Sequence, residues 1–140
     1  MIAPPRLVIA GSGSGVGKTV IATGLMSRLA RSMKVQGYKV GPDFIDPMYH
    51  TAATGRPSRN LDSFFMEREK LTHLFGWSSQ GANVAIVEGV RGLYDGLTAT
   101  GDTGSTAEIA KFIRAPVVLV VNARSLAKSA AAHVLGFKML

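Results

Sequence analysis

The sequence predicts an α/β protein, a parallel sheet with helices on both faces. Short apolar runs stop abruptly at glycine-rich loops, and the loops lead into segments with helical spacing. The runs are apolar on consecutive residues, as expected for strands covered on both sides. Leu7-Val8-Ile9-Ala10 is the first such strand, ended by Gly11. Lys18 to about Ser32 reads as a helix, because Ile21, Leu25, Leu29 and Met33 recur near its period. Gly37-Tyr38-Lys39-Val40 is a second strand, closed by Gly41-Pro42. Residues 41–63 are rich in Pro, Gly, Asp and Arg and read as a long loop, a length usually associated with function. A helix is expected from Glu67 to about Trp77, and a third strand over Asn83–Glu88. A glycine-rich loop then runs from 89 to 104. Ser105-Thr106-Ala107-Glu108 is a capping box, which starts the next helix. Val117–Val121 is the fourth strand, and a last helix runs from about Ser125. The chain stops at that helix without a closing strand, which suggests an incomplete domain, the front part of a longer protein.

Composition narrows the chemistry. The 140 residues are 46% apolar and 18% charged, so the chain can bury a core and is not a disordered tail. There is no cysteine, which excludes disulfides, thiolate metal sites and a cysteine nucleophile within these residues. No apolar run approaches a membrane span and no signal pattern opens the chain; both point to a cytoplasmic domain. Sixteen Lys+Arg against nine Asp+Glu give a net +7. The basic residues are scattered without aromatic interleaving, so an ordinary solvated surface or a site for an anionic small molecule suits them better than nucleic acid.

In parallel sheets ligands sit outside the carboxyl ends of the strands, and here the unusual loops all follow strands. The first, Gly11-Ser12-Gly13-Ser14-Gly15-Val16-Gly17-Lys18-Thr19, closes as a P-loop does, with five residues rather than four between the outer glycines. Its glycines let backbone N–H groups turn inward around phosphate, and the helix starting near Lys18 adds its positive end. Gly13, Ser14, Gly15, Val16, Gly17, Lys18 and Thr19 are therefore the candidate nucleotide-binding residues. Lys18 would neutralise the β- and γ-phosphates of ATP, and the Thr19 hydroxyl would face Mg²⁺. The fold class is thus a P-loop NTPase-type parallel sheet.

The second loop, Lys39 to His50, carries Asp43 and Asp46 three residues apart. One carboxylate could hold Mg²⁺ while the other orients substrate; both could equally be turn-forming residues beside proline. Lys39, at the strand's end, could reach a γ-phosphate. Tyr49 and His50 suit structural or catalytic roles alike, and Arg56 and Arg59 suit either carboxylate binding or plain surface charge. The third loop follows Glu88, a carboxylate at the end of a buried strand that needs a partner, either Mg²⁺ or Arg91. Asp95, further along the same loop, could meet substrate.

These strings resemble the cobyrinic acid a,c-diamide synthase and nickel-sirohydrochlorin a,c-diamide synthase family, whose ATP-binding half is similar to dethiobiotin synthetase. The resemblance rests on residues 13–19, on Tyr-Lys-Val-Gly-Pro-Asp-Phe-Ile-Asp-Pro at 38–47, on residues 55–62, on Val-Glu-Gly-Val-Arg-Gly-Leu-Tyr-Asp-Gly at 87–96, and on 104–108. It implies that residues 1–140 are an N-terminal ATP-binding domain or a fragment of one. The implied reaction is ATP- and Mg²⁺-dependent amidation of the a and c acetate side chains of an anionic tetrapyrrole, through an acyl phosphate. Ammonia would come from a glutaminase domain not contained in this chain, so the chain alone is not expected to make the amide from glutamine. By motif, the resemblance places Thr19, Asp43 and Glu88 on the metal side, with Lys18, Lys39, Asp46 and Asp95 at the reacting groups. It also implies a homodimer, with no nucleic-acid or membrane partner. Two rivals stand beside it. A partition-type ATPase usually carries an extra lysine early in the P-loop, where this chain has Gly13. Dethiobiotin synthetase itself fits the Pro-Asp-Phe-Ile-Asp-Pro string less well.

Overall fold

The computed structural model describes residues 3–140. The element order is β1 (Arg6–Gly11), α1 (Lys18–Ala30), β2 (Val35–Val40), α2 (Asp46–Thr54), β3 (Arg59–Leu61), α3 (Arg68–Ser78), β4 (Val84–Glu88), α4 (Thr106–Ile113), β5 (Val117–Val120) and α5 (Ser129–Met139). The strands form one parallel sheet in the order β3-β2-β4-β1-β5. The predicted fold class is therefore observed, with five strands instead of four.

The additional strand and an additional helix both lie inside the segment expected to be a loop. β3 is only three residues long, and two of them, Arg59 and Asn60, are polar. It forms because β2 offers an open edge, against which Tyr38, Lys39 and Val40 pair with Arg59, Asn60 and Leu61. Asn60 then fastens the preceding loop, donating from Nδ2 to the Gly41 and Asp43 carbonyls at 2.7 and 2.6 Å. α2 starts with Asp46-Pro47, which suits the first turn of a helix, and ends at Gly55 with φ 69°.

Alternation along the central strands divides the core between the two faces of the sheet. Val8, Ala10, Ala85 and Val87 point to the side covered by α3 and α4, where they meet Leu71, Phe75, Ile109 and Ile113. Ile9 and Ile86 point to the side of α1, where they meet Ala22 and Met26. The face α1 buries is centred on Lys18, Ala22 and Met26; of the expected stripe, Leu25 and Leu29 pack against this core, while Ile21 and Met33 are exposed. Small and unbranched side chains at 22 and 26 let this helix lie close to the sheet; bulkier Ile21 is turned away. The capping box forms at α4 in part. Ser105 Oγ accepts the Glu108 N–H at 3.1 Å, while the Glu108 carboxylate accepts instead from Ser63 Oγ and the Gly104 N–H. Among the described residues no helix is long and apolar enough to cross a membrane.

Candidate active site

The loops after β1, β2 and β4 meet because these strands are neighbours at the centre of the sheet and run the same way. Register places Lys39 directly opposite Glu88, and Glu88 directly opposite Ile9. The two charged residues that end β2 and β4 are thus adjacent by construction.

The loop after β1 takes the shape its glycines permit. Gly15 and Gly17 have φ 73° and 102°, a region side chains disfavour. Gly17 caps α1 with no side-chain partner for the helix N–H groups, which leaves them for a ligand. Lys18 Nζ bends back over the loop and donates to the Gly13 carbonyl at 2.8 Å. Gly11 is required at the strand end: a Cβ there would lie 2.7 Å from Val16 Cγ2 and 2.9 Å from Lys18 Nζ.

A compact ionic network lies below this loop. Lys39 Nζ donates to Asp46 Oδ2 at 2.6 Å, to Glu88 Oε1 at 2.9 Å and to the Gly89 carbonyl at 3.1 Å. Thr19 Oγ1 donates to Glu88 Oε1 at 2.6 Å and lies 3.4 Å from Asp46 Oδ2. His50 Nε2 lies 2.6 Å from Glu88 Oε2. The Lys39 and Glu88 side chains are 5% and 0% exposed, so their charges have little water to lean on. Burial alone would raise the Glu88 pKa. Hydrogen bonds from His50 and Thr19 and the charge of Lys39 outweigh it and hold the carboxyl down to about 2. Burial would likewise lower the Lys39 pKa, but the bonds to Asp46 and the charge of Glu88 raise it. Lys18 shows the reverse balance: burial, with the like charge of Lys39, lowers its pKa against the pull of Glu88, Asp46 and Asp95.

The predicted residues therefore fall into two groups. Lys18, Thr19, Lys39, Asp46 and Glu88 share one site. Together with Ser14, Gly15 and Gly17 most of them line a cleft of about 300 Å³, which Arg91 also borders. Glu88 has Lys39, His50 and Thr19 as partners, and Arg91 is not the counter-charge considered from sequence. Asp43 and Asp95 stand at the margin. Asp43 lies 3.9 Å from Lys39 Nζ, and its Oδ1 accepts the Ile45 N–H at 2.8 Å, a turn-forming bond. Asp95 is exposed and accepts the Gly92 N–H at 2.9 Å. Arg56 is structural, donating to Gln36 Oε1 and to the carbonyls of Ser78 and Gln80. A larger cleft of about 510 Å³ lies elsewhere, between α4, β5 and α5. Its lining is mostly apolar and it contains none of the network.

Residues 7–139 match the family described as the CobQ/CobB/MinD/ParA nucleotide binding domain. The chain belongs to this nucleotide-binding family. Among its relatives, the cobyrinate a,c-diamide synthase of Methanocaldococcus jannaschii is 57% identical over 132 residues, covering 94% of this chain and 30% of that protein. The enzyme of the same name from Methanothermobacter thermautotrophicus is 58% identical over 137 residues, covering 96% of this chain and 30% of the relative. That from Archaeoglobus fulgidus is 54% identical over 136 residues, again 96% and 30%. The chain thus spans about 30% of the length of these curated relatives.

In this CobQ/CobB/MinD/ParA domain one further member of the network is His50, whose residue type suits structural and catalytic roles alike. His50 is fully buried. Its spacing from Asp46, four residues on α2, puts both on one helix face, toward β2 and β4, but does not by itself bring it to Glu88.

Proposed function

We propose that this domain binds ATP and activates a side-chain carboxylate of an anionic tetrapyrrole such as cobyrinate, so that ammonia can convert it to an amide. The observation that carries the reading is the joining of Lys18, Lys39, Thr19, Asp46 and Glu88 at the carboxyl ends of β1, β2 and β4. The relatives' name supplies the substrate class.

A carboxylate is a poor acyl donor and an acyl phosphate is a good one. In the proposed reaction a substrate carboxylate oxygen forms a bond to the γ-phosphorus as the bond to the ADP oxygen breaks. Ammonia then adds to the acyl carbon, loses a proton, and displaces inorganic phosphate. The protein's share is positioning and charge neutralisation. The P-loop N–H groups and the start of α1 cradle the β- and γ-phosphates. Lys18, now resting on the Gly13 carbonyl, swings to the phosphate oxygens. Lys39, held by Asp46 and Glu88 in the same cleft as Lys18 and Thr19, would offset the charge that develops on transfer.

The donor set suits magnesium. Among the described residues no group of three or more His, Cys, Asp or Glu is arranged to hold a metal ion by itself. A hydroxyl and two carboxylates close together, completed by water and phosphate oxygens, are what this hard cation takes. Thr19, Glu88 and Asp46 would hold it, with Asp43 in the adjoining turn. Bound Mg²⁺ would neutralise the phosphate oxygens. Asp95, whose charge reaches Lys18, would serve the substrate side. Ammonia from glutamine would be delivered by a glutaminase domain outside this chain.

The test is ATP turnover with cobyrinate and ammonium supplied, compared with turnover on DNA. The proposal expects turnover to depend on cobyrinate and to fall by orders of magnitude in Lys18→Ala. Stimulation by DNA but not by cobyrinate would overturn it in favour of a partition-type ATPase.

A further inference from the structure

Glu88 has two carboxylate oxygens, and the fold treats them differently. Oε1 faces Thr19 and Lys39, while Oε2 meets His50 Nε2 at 2.6 Å. Oε1 accepts from the Lys39 ammonium and the Thr19 hydroxyl, so Glu88 is the acceptor of this cluster and His50 Nε2–H is the donor to Oε2. The ring is fixed at its other end too, with Nδ1 3.3 Å from Ser58 Oγ, and Ser58 is itself tied to the Gly37 carbonyl at 3.0 Å. The sequence makes room for this contact at one point on β2. A Cβ on Gly37 would lie 3.0 Å from His50 Cβ and 3.2 Å from Met26 Sδ. The absent side chain at 37 lets α2 approach β2 closely enough for the imidazole to reach the end of β4.

We infer that His50 is a positioning residue: it locks the Glu88 carboxylate so that Oε1 is presented to the magnesium side of the cleft, and Gly37 provides the clearance that lets it do so. This rests on the proposed reading of Glu88 as a metal-side residue. Groups that hold a metal-ligating carboxylate in place commonly change metal affinity by about 10–100-fold when removed, without touching the metal or the nucleotide.

The experiment measures binding of β,γ-imido-ATP by calorimetry, with EDTA and across a Mg²⁺ titration, so that the gain in affinity due to magnesium is separated from the metal-free affinity. His50→Met and His50→Gln are similar in size and differ in the donor. The inference expects His50→Met to lose at least about tenfold of the magnesium-dependent gain. Its metal-free affinity should stay within about twofold of wild type, a split that general loss of structure would not give. His50→Gln, which keeps a donor near the Nε2 position, should restore most of the gain. Gly37→Ala leaves both side chains chemically intact and presses on His50 Cβ and Met26 Sδ; it should lose part of the magnesium-dependent gain, in the direction of His50→Met, and an unchanged gain would overturn the clearance role of Gly37. Glu88→Gln separates the two levels of the argument. If it leaves the magnesium-dependent gain intact, the metal-side reading of Glu88 falls and this inference with it. If Glu88→Gln abolishes the gain while His50→Met keeps it within twofold, or His50→Gln fails to restore it, the positioning role alone is overturned.

Discussion

Replacing Lys39 by Met removes one charge from the centre of the network while keeping an unbranched chain of similar length. The size of the effect depends on whether the pair behaves as a surface or a buried ion pair. Exposed pairs contribute about 0–1 kcal/mol, whereas removing one partner of a buried pair costs about 3–5 kcal/mol, because the other charge is left stranded. Here the side chains are 5% and 0% exposed, which places the pair in the second class. Glu88 keeps His50 and Thr19 as donors, and Asp46, 18% exposed, can recover water, so the expected loss lies near the lower limit, about 3 kcal/mol. For a 140-residue chain that lowers Tm by about 10 °C. The double variant Lys39→Met/Glu88→Gln removes both charges and leaves an amide that can bond to Thr19 and His50. It should be more stable than Lys39→Met alone. Urea and thermal unfolding followed by circular dichroism, without nucleotide, give both numbers. A loss under about 1 kcal/mol for Lys39→Met, the range of exposed pairs, or strictly additive losses in the double variant, would refute a buried, mutually neutralising network.

Glu88 gives the domain an acid-side signature. Its pKa is lower in the folded chain, so its contribution is fully present above about pH 4.5 and is lost as pH falls toward about 2. Glu88→Gln should flatten that part of the stability profile measured by urea unfolding, and an unchanged profile would contradict the assignment. Gly89→Ala places a Cβ 2.7 Å from Thr106 Cγ2 and 3.2 Å from the Ile9 carbonyl. It should destabilise by about 1–3 kcal/mol, as overpacking does, read as a lower urea midpoint with the slope unchanged. Asp46→Asn should shift the Mg²⁺ dependence of nucleotide binding more than Asp43→Asn, because Asp46 lies beside Thr19 and Lys39 while Asp43 is occupied by the turn. Equal shifts would remove that distinction.

Much of this arrangement is legible in the sequence because it is local. Gly-Val-Gly-Lys-Thr after an apolar run states its own geometry, and a glutamate ending a buried strand states its need for a partner. β3 was not legible: Arg59-Asn60-Leu61 has no apolar run, and its strand conformation comes from the free edge of β2. α2 was hidden by its proline and short length. The relative placing of Asp43 and Asp46 depends on where that helix begins, since one precedes it and the other opens it. The part of His50 required the register of β2 against β4 and the missing side chain at Gly37, and neither is visible from spacing alone. The apolar face of α1 keeps Leu25 and Leu29 of the expected stripe but is centred on Ala22 and Met26, which suit close approach to the sheet better than Ile21.

If the phosphate cradle faces an organic carboxylate rather than water, an oxygen of that carboxylate must leave with the phosphate. Cobyrinate labelled with ¹⁸O in its side-chain carboxylates, turned over with ATP, Mg²⁺ and ammonium, tests it directly. Transfer through an acyl phosphate predicts one ¹⁸O atom in the inorganic phosphate for each amide formed. Amide formation with unlabelled phosphate would contradict the account.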